Sequence, residues 1–184
     1  MNIIIQKLKD ICFYLYIKIK FNTKIRGLPI IRVNPKGTLI IGKNVIINSS
    51  YYSNPIGSVP KTIIIVRENA TLKIGNNTGI SNSCIYCTKF ISIGNNVFIG
   101  GGVKIYDTDF HSIYYVDRNI SHNLNAKSKS IIIEDNVFIG GHSIILKGVT
   151  IGQNSVIAAG SIVTHNVPPN EVWGGNPIKF LKKL

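Results

Sequence analysis

The feature that most constrains this chain is a period of six. From Ile133 onward, Ile139, Ile145, Ile151, Ile157 and Val163 recur at strict intervals, and Ser143, Val149, Ser155 and Ser161 each fall four positions after one of them. Shorter runs occur earlier, as Ile41 and Ile47, Ile74 and Ile80, then Ile93, Ile99 and Ile105, and glycine follows many of these, at Gly42, Gly75, Gly94, Gly100, Gly140 and Gly152. No amphipathic helix uses such a period, because residues six apart point about 120° away from each other around the axis. A short strand plus a turn does use it. The Ile or Val then enters a narrow core and the small residue allows the corner. Three such units close a triangular coil of about 18 residues. A β-sandwich would instead place turns roughly every 8–12 residues with no fixed period.

The composition supports a packed domain. Of 184 residues, 45% are apolar, and the mean hydropathy is +0.21. Such a chain has enough apolar surface to offset chain entropy, which excludes disorder. Gly at 17, Pro at 7 and Cys at 3 exclude a collagen or a disulfide scaffold, and three cysteines suit a reducing cytosol. No apolar run is long enough for a membrane-spanning helix, and the start, without a small-x-small cleavage pattern, reads as part of the mature protein. The expected division is an N-terminal segment, 1–26, and one repeat domain, 27–184.

Within that domain the repeat is broken once at length. Between Ile105 and Ile131 the polar stretch YDTDFHSIYYVDRNISHNLNAKSKS lacks the period, and the register resumes after it. Residues 106–130 are therefore expected to leave the body as an extruded loop. It gathers Asp107, Asp109 and Asp117 with His111 and His122, and long loops in compact repeat proteins tend to carry function. A smaller insertion, Tyr51 to Lys61, reads as a surface turn. Cys84 and Cys87 form a CxxC without a second pair, so buried thiols are expected and no metal is assigned.

The chain is basic, with 21 Lys and Arg against 8 Asp and Glu and a formal net charge of +13. Ile4, Leu8, Ile11, Leu15 and Ile19 stand at helical spacing, with Lys7, Lys9, Lys18 and Lys20 mostly off that stripe. The expectation is a basic amphipathic helix that either lies on an anionic inner leaflet or caps the open end of the solenoid. No nucleic-acid recognition module is visible.

The stretches IGNNVFIGGGVKI and IEDNVFIGGHSIILKGVTIGQNSVIAAGSIVTHNVPPNEVWGGNPIKFLKK, together with DTDFH in the loop, resemble the hexapeptide-repeat acyltransferases. Within them the match is to the branch of polysaccharide O-acetyltransferases and, more distantly, of maltose and galactoside acetyltransferases; it covers residues 27 to 183. The resemblance implies an all-β, left-handed parallel β-helix, a homotrimer, acetyl-CoA as donor, and an active site between subunits. His111 matches the family's catalytic histidine. Gly141 matches the position whose backbone amide faces the oxyanion, Ala159 one that meets the pantetheine arm, and Asn82 one that contacts the acceptor sugar. Where the family often continues Thr-Lys, this chain reads Thr164-His165, so Lys179, beside Pro177 in the NPIK ending, is expected to carry more of the binding of CoA. Phe138 stands where relatives often have Trp.

The chemistry agrees with those roles. A sugar hydroxyl is a poor nucleophile until a base removes its proton, and histidine serves best near neutral pH. Asp109 and Asp107 are expected to orient His111 and stabilise its imidazolium, with Asp107 also facing the acceptor. The tetrahedral oxyanion needs rigid N–H donors. The expected activity is transfer of an acetyl group from acetyl-CoA to a hydroxyl of a surface polysaccharide or its precursor, in the cytoplasm or at the inner face of the plasma membrane. The alternatives are the same fold acting on a sugar amine or serine, and a noncatalytic binding β-helix, which would have no reason to extrude such a loop. A γ-type carbonic anhydrase needs two zinc histidines five apart, and His111, His122, His142 and His165 offer no such pair.

Overall fold

The computed structural model describes residues 22–56, 61–120 and 125–184, together with Cys12, Leu15, Tyr16, Lys18 and Ile19. Those last five are helical and exposed. Ile4, Leu8 and Ile11 of the expected amphipathic stripe, and His122 of the loop, lie outside the described residues.

From Lys24 the chain winds as a left-handed parallel β-helix with three faces. Sheet A runs from β1 (Lys24–Gly27) through β4 (Ile46–Ser49), β7 (Gly79–Ser81), β10 (Phe98–Ile99), β13 (Phe138–Ile139) and β16 (Val156–Ile157) to β18 (Glu171–Gly174) and β19 (Lys179–Lys183). Sheet B stacks β2 (Ile30–Val33), β5 (Ile63–Val66), β8 (Cys84–Cys87), β11 (Lys104–Tyr106), β14 (Ile144–Ile145) and β17 (Ile162–Val163). Sheet C stacks β3 (Thr38–Ile41), β6 (Thr71–Ile74), β9 (Phe90–Ile93), β12 (Ile131–Ile133) and β15 (Thr150–Ile151). All pairings are parallel except β18 with β19, which folds back as an antiparallel edge. Because β1 begins at Lys24, the coil takes in the last residues of the segment assigned to 1–26.

The six-residue period is the core. Ile139, Ile145, Ile151, Ile157 and Val163 are all 0% exposed, and so are Ser143, Val149, Ser155 and Ser161 at the intervening inward positions. Register aligns them in columns: Ile80, Ile99, Ile139 and Ile157 in sheet A, and Ile85, Ile105, Ile145 and Val163 in sheet B. The buried serines spend their hydroxyls on corner carbonyls, Ser143 on Gly140 and Ser161 on Ala158, so these hydroxyls are not buried unpaired.

Each edge of the prism uses a different device. Along the edge between sheets C and A, Asn22, Asn44, Asn77, Asn96, Asn136, Asn154 and Asn170 all adopt positive φ, between 51° and 62°. Asparagine tolerates that left-handed conformation better than most residues. Each side-chain amide donates to the next, from Asn22 to Asn44 at 2.9 Å down to Asn154 to Asn170 at 2.8 Å, forming a continuous ladder. From the fourth coil on, the edge between sheets A and B turns mainly on small residues, Gly100–Gly102, Gly140–Gly141 and Ala158–Ser161, and the edge between sheets B and C releases the loop after β11.

Candidate functional site

The loop has an anchored stem. Lys129 N–H donates to the Asp107 carbonyl and Asp109 N–H to the Lys127 carbonyl, with a bridge between Thr108 and Ser128, so its two ends zip together before the chain turns outward. Beyond the stem, Phe110 takes φ 63°, an uncommon conformation for a bulky side chain. Its ring packs against Tyr86 and Tyr106 on the outer face of sheet B, at centroid distances of 5.0 and 5.1 Å. His111 follows directly, exposed, with its N–H given to the Asp109 carbonyl at 2.7 Å. A short helix, α1 (Tyr115–Ile120), continues the loop. Its turn is closed by Ser112, which donates to Asp117 at 2.6 Å and holds that carboxyl below its ordinary range.

The two aspartates expected beside His111 do other work. Asp107 is 0% exposed. One carboxylate oxygen accepts from Thr88 N–H and hydroxyl at 2.7 and 2.8 Å, and the other from Lys89 and Phe90 N–H at 2.7 and 3.0 Å. Both oxygens are thus consumed by the turn between β8 and β9. This corrects the catalytic and acceptor-facing role: Asp107 fastens the root of the loop to the coil beneath. Asp109 pairs with Lys147 at 2.6 Å, which ties the loop to the following coil.

Asn82 is also corrected. It is 0% exposed, at φ 42°, and its amide donates to the carbonyls of Asn54 at 2.9 Å and Ser50 at 3.4 Å. The chain at Ser50–Asn54 holds this amide in the interior, away from the exposed position expected of an acceptor contact, and its side-chain oxygen is buried without a partner.

Gly141 and Ala159 stand on successive coils of the edge between sheets A and B, joined by the bond from Gly160 N–H to the Gly141 carbonyl at 2.9 Å. Gly140 and His142 donate to Ile157 and Gly101, but among the described residues nothing accepts from the N–H of Gly141 or of Ala159. A Cβ at Gly160 would meet nothing within 4 Å, so this edge is open. Further along, Thr164 and His165 are in contact at 3.0 Å, and the His165 ring meets Trp173 edge-on at 5.5 Å. Trp173 in turn rests on Phe180 at 6.0 Å. Pro177 and Lys179 are exposed beside them. Sequence reasoning missed this aromatic wall, whose signal was the lone Trp next to the GGNPIK ending.

Cys84 and Cys87 share β8 but sit an odd number of residues apart, so they point to opposite sides of the sheet. Burial, reinforced by Asp107, pushes the Cys87 thiol up to about 12; burial also raises Cys84. Among the described residues no three of His, Cys, Asp and Glu gather as a metal site.

The family model of the hexapeptide repeat of succinyl-transferase matches residues 130–165. The structure of a Vibrio cholerae hexapeptide-repeat acetyltransferase in complex with acetyl-CoA superposes with a TM-score of 0.58 at 30% identity, covering 93% of this chain and 75% of that one. The chain belongs to the hexapeptide-repeat acyltransferase family. Escherichia coli galactoside O-acetyltransferase is 42% identical over 94 residues, covering 51% of this chain and 44% of that protein. An Arabidopsis mitochondrial γ carbonic anhydrase is 31% identical over 128 residues, covering 61% and 44%. The chain spans about half the length of the curated relatives it matches.

Proposed function

We propose that this hexapeptide-repeat protein transfers an acetyl group from acetyl-CoA to a sugar hydroxyl, with a surface polysaccharide or its precursor as acceptor. The observation that carries the reading is the presentation of His111: a loop fastened through Asp107 and Asp109 and clamped by Phe110 carries this histidine at an exposed position. The acetyl-CoA named for the Vibrio relative and the galactoside named for the Escherichia coli one support the donor and the acceptor class.

The open edge fits a long, thin thioester arm. Gly141, Ala159 and Gly160 put no side chain larger than a methyl in its path, and exposed Lys179, Lys182 and Lys183 lie beyond it for phosphates. In this mechanism His111 takes the proton of the acceptor hydroxyl as its oxygen attacks the thioester carbon, and later returns that proton to the departing thiolate. The unpartnered Gly141 N–H donates to the oxyanion. The loop root and the Gly141 edge are separated by the width of sheet B, which favours a site completed by a second copy of the chain, and a homotrimer is the arrangement we adopt.

His111→Ala is expected to lower kcat by about two to four orders of magnitude while leaving the dissociation constant for CoA unchanged. Lys179→Ala should instead raise the KM for acetyl-CoA with a smaller effect on kcat. Release of free CoA with an acceptor library, analysed by mass spectrometry, reads both. Unchanged turnover in His111→Ala beside a dead His122→Ala would reassign the base. Tightly bound zinc with carbon dioxide hydration would favour the carbonic anhydrase relative instead.

A further inference from the structure

Charge is distributed very unevenly along this chain. Residues 1–67 hold eleven of the 21 Lys and Arg but only one acid, Asp10, a net +10 of the total +13. The coil begins at Lys24, and in a solenoid position in sequence is position along the axis, so from Lys24 onward the asymmetry is spatial. Lys24, Arg26, Arg32, Lys36, Lys43, Lys61, Arg67 and Lys73 ring the first two coils, all of them exposed, against the single acid Glu68. The strands of the first coil, β1, β2 and β3, are the outer strands of their sheets at that end.

The same end exposes apolar surface. Leu28, Ile40, Tyr51, Tyr52 and Ile56 are 69%, 48%, 55%, 102% and 81% exposed. Leu28, Tyr51 and Tyr52 line a shallow groove of about 300 Å³ with Lys61 on its rim. A hydrophilic polyanion rewards the cations but not exposed Leu and Ile; an anionic bilayer rewards both, because aliphatic and aromatic side chains enter the headgroup boundary while lysines and arginines remain with the phosphates. We propose that the first two coils are a docking collar for an anionic lipid surface. The docking does not rest on the acetyl-transfer reading, whereas the use it is given below does.

The geometry gives the collar a use. Coils stack at roughly 4.8 Å, so β11 on the fourth coil, where the catalytic loop starts, stands roughly 14 Å along the axis from the first. The Gly141 edge stands further still. A protein seated on its first coil holds the loop near a headgroup-level acceptor and leaves the Gly141 edge open to the aqueous side.

The test is flotation of the full chain with vesicles of phosphatidylcholine alone or with about one-third phosphatidylglycerol. Binding should require the anionic lipid and weaken with added salt. The collar variant K24Q/R32Q/K36Q/K43Q should bind at least tenfold more weakly, whereas the charge-matched K127Q/K129Q/K182Q/K183Q should lose less than about twofold. Y52S/I56S, which keeps every charge, should also weaken binding several-fold, and circular dichroism confirms that each variant is folded. Equal loss in both quadruple variants would mean that only net charge matters, and would overturn the proposal. So would equal binding to neutral vesicles, or retention by dextran sulfate or duplex DNA without vesicle binding. A drop in oligomeric mass of Y52S/I56S by sedimentation would overturn it too, by assigning the apolar surface to a second copy of the chain.

Discussion

Replacing Asp107 with Ala separates a structural carboxylate from a catalytic one. The substitution leaves three backbone N–H groups, those of Thr88, Lys89 and Phe90, aimed into a space that no longer holds an acceptor. The Thr88 hydroxyl keeps Ser128 at 3.0 Å. A buried donor without a partner costs roughly 1–3 kcal/mol, and water entering the vacated volume recovers part of it, so the net loss should be about 3–5 kcal/mol. For a chain of this size that lowers the melting temperature by on the order of 10 °C. Asp107→Asn, which retains one acceptor oxygen but turns an amide toward the remaining donors, should fall between Ala and wild type. The assay is thermal and urea unfolding followed by circular dichroism, with kcat measured well below the transition. A stability loss under about 1 kcal/mol together with a kcat reduced a hundredfold or more would refute the structural role and return Asp107 to the chemistry.

Two further outcomes follow from neighbouring residues. Phe110→Ala removes the ring that Tyr86 and Tyr106 hold, and should reduce kcat about tenfold or more with little change in the KM for acetyl-CoA; Phe110→Tyr should restore it, whereas a KM effect alone would place the ring in donor binding. The Cys87 thiol, held neutral up to about 12, should resist iodoacetamide at pH 8 while exposed Cys12 reacts. Because its folded value lies above the unfolded one, its contribution is intact below about pH 9 and is lost as the pH rises toward 12; Cys87→Ala should flatten that alkaline fall in a pH series of urea midpoints.

The sequence by itself determined the coil. A strict period of six, with Ile or Val alternating with Ser or Val at inward positions, has one way to bury all of them, and each of those residues is at 0% exposure. It also determined where the loop leaves, because an interruption in a one-dimensional repeat can only be accommodated by extrusion. The asparagine ladder was written there too, as Asn at the third position after many repeat isoleucines, and it follows from the need for left-handed corners. What the tertiary structure decided was the work of the polar residues. Asp107 stands four residues before His111 in sequence, yet its carboxylate meets a turn some twenty residues earlier, because successive coils lie one strand spacing apart. Asn82 is held by the Asn54 carbonyl, a contact no local pattern announces, and Phe110 reads as one more aromatic until two tyrosines from neighbouring coils are seen to clamp it. Periodicity fixes which side of a strand a residue takes, but a carboxylate or an amide is claimed by whichever donors the stacking brings within 3 Å, and those come from far along the chain.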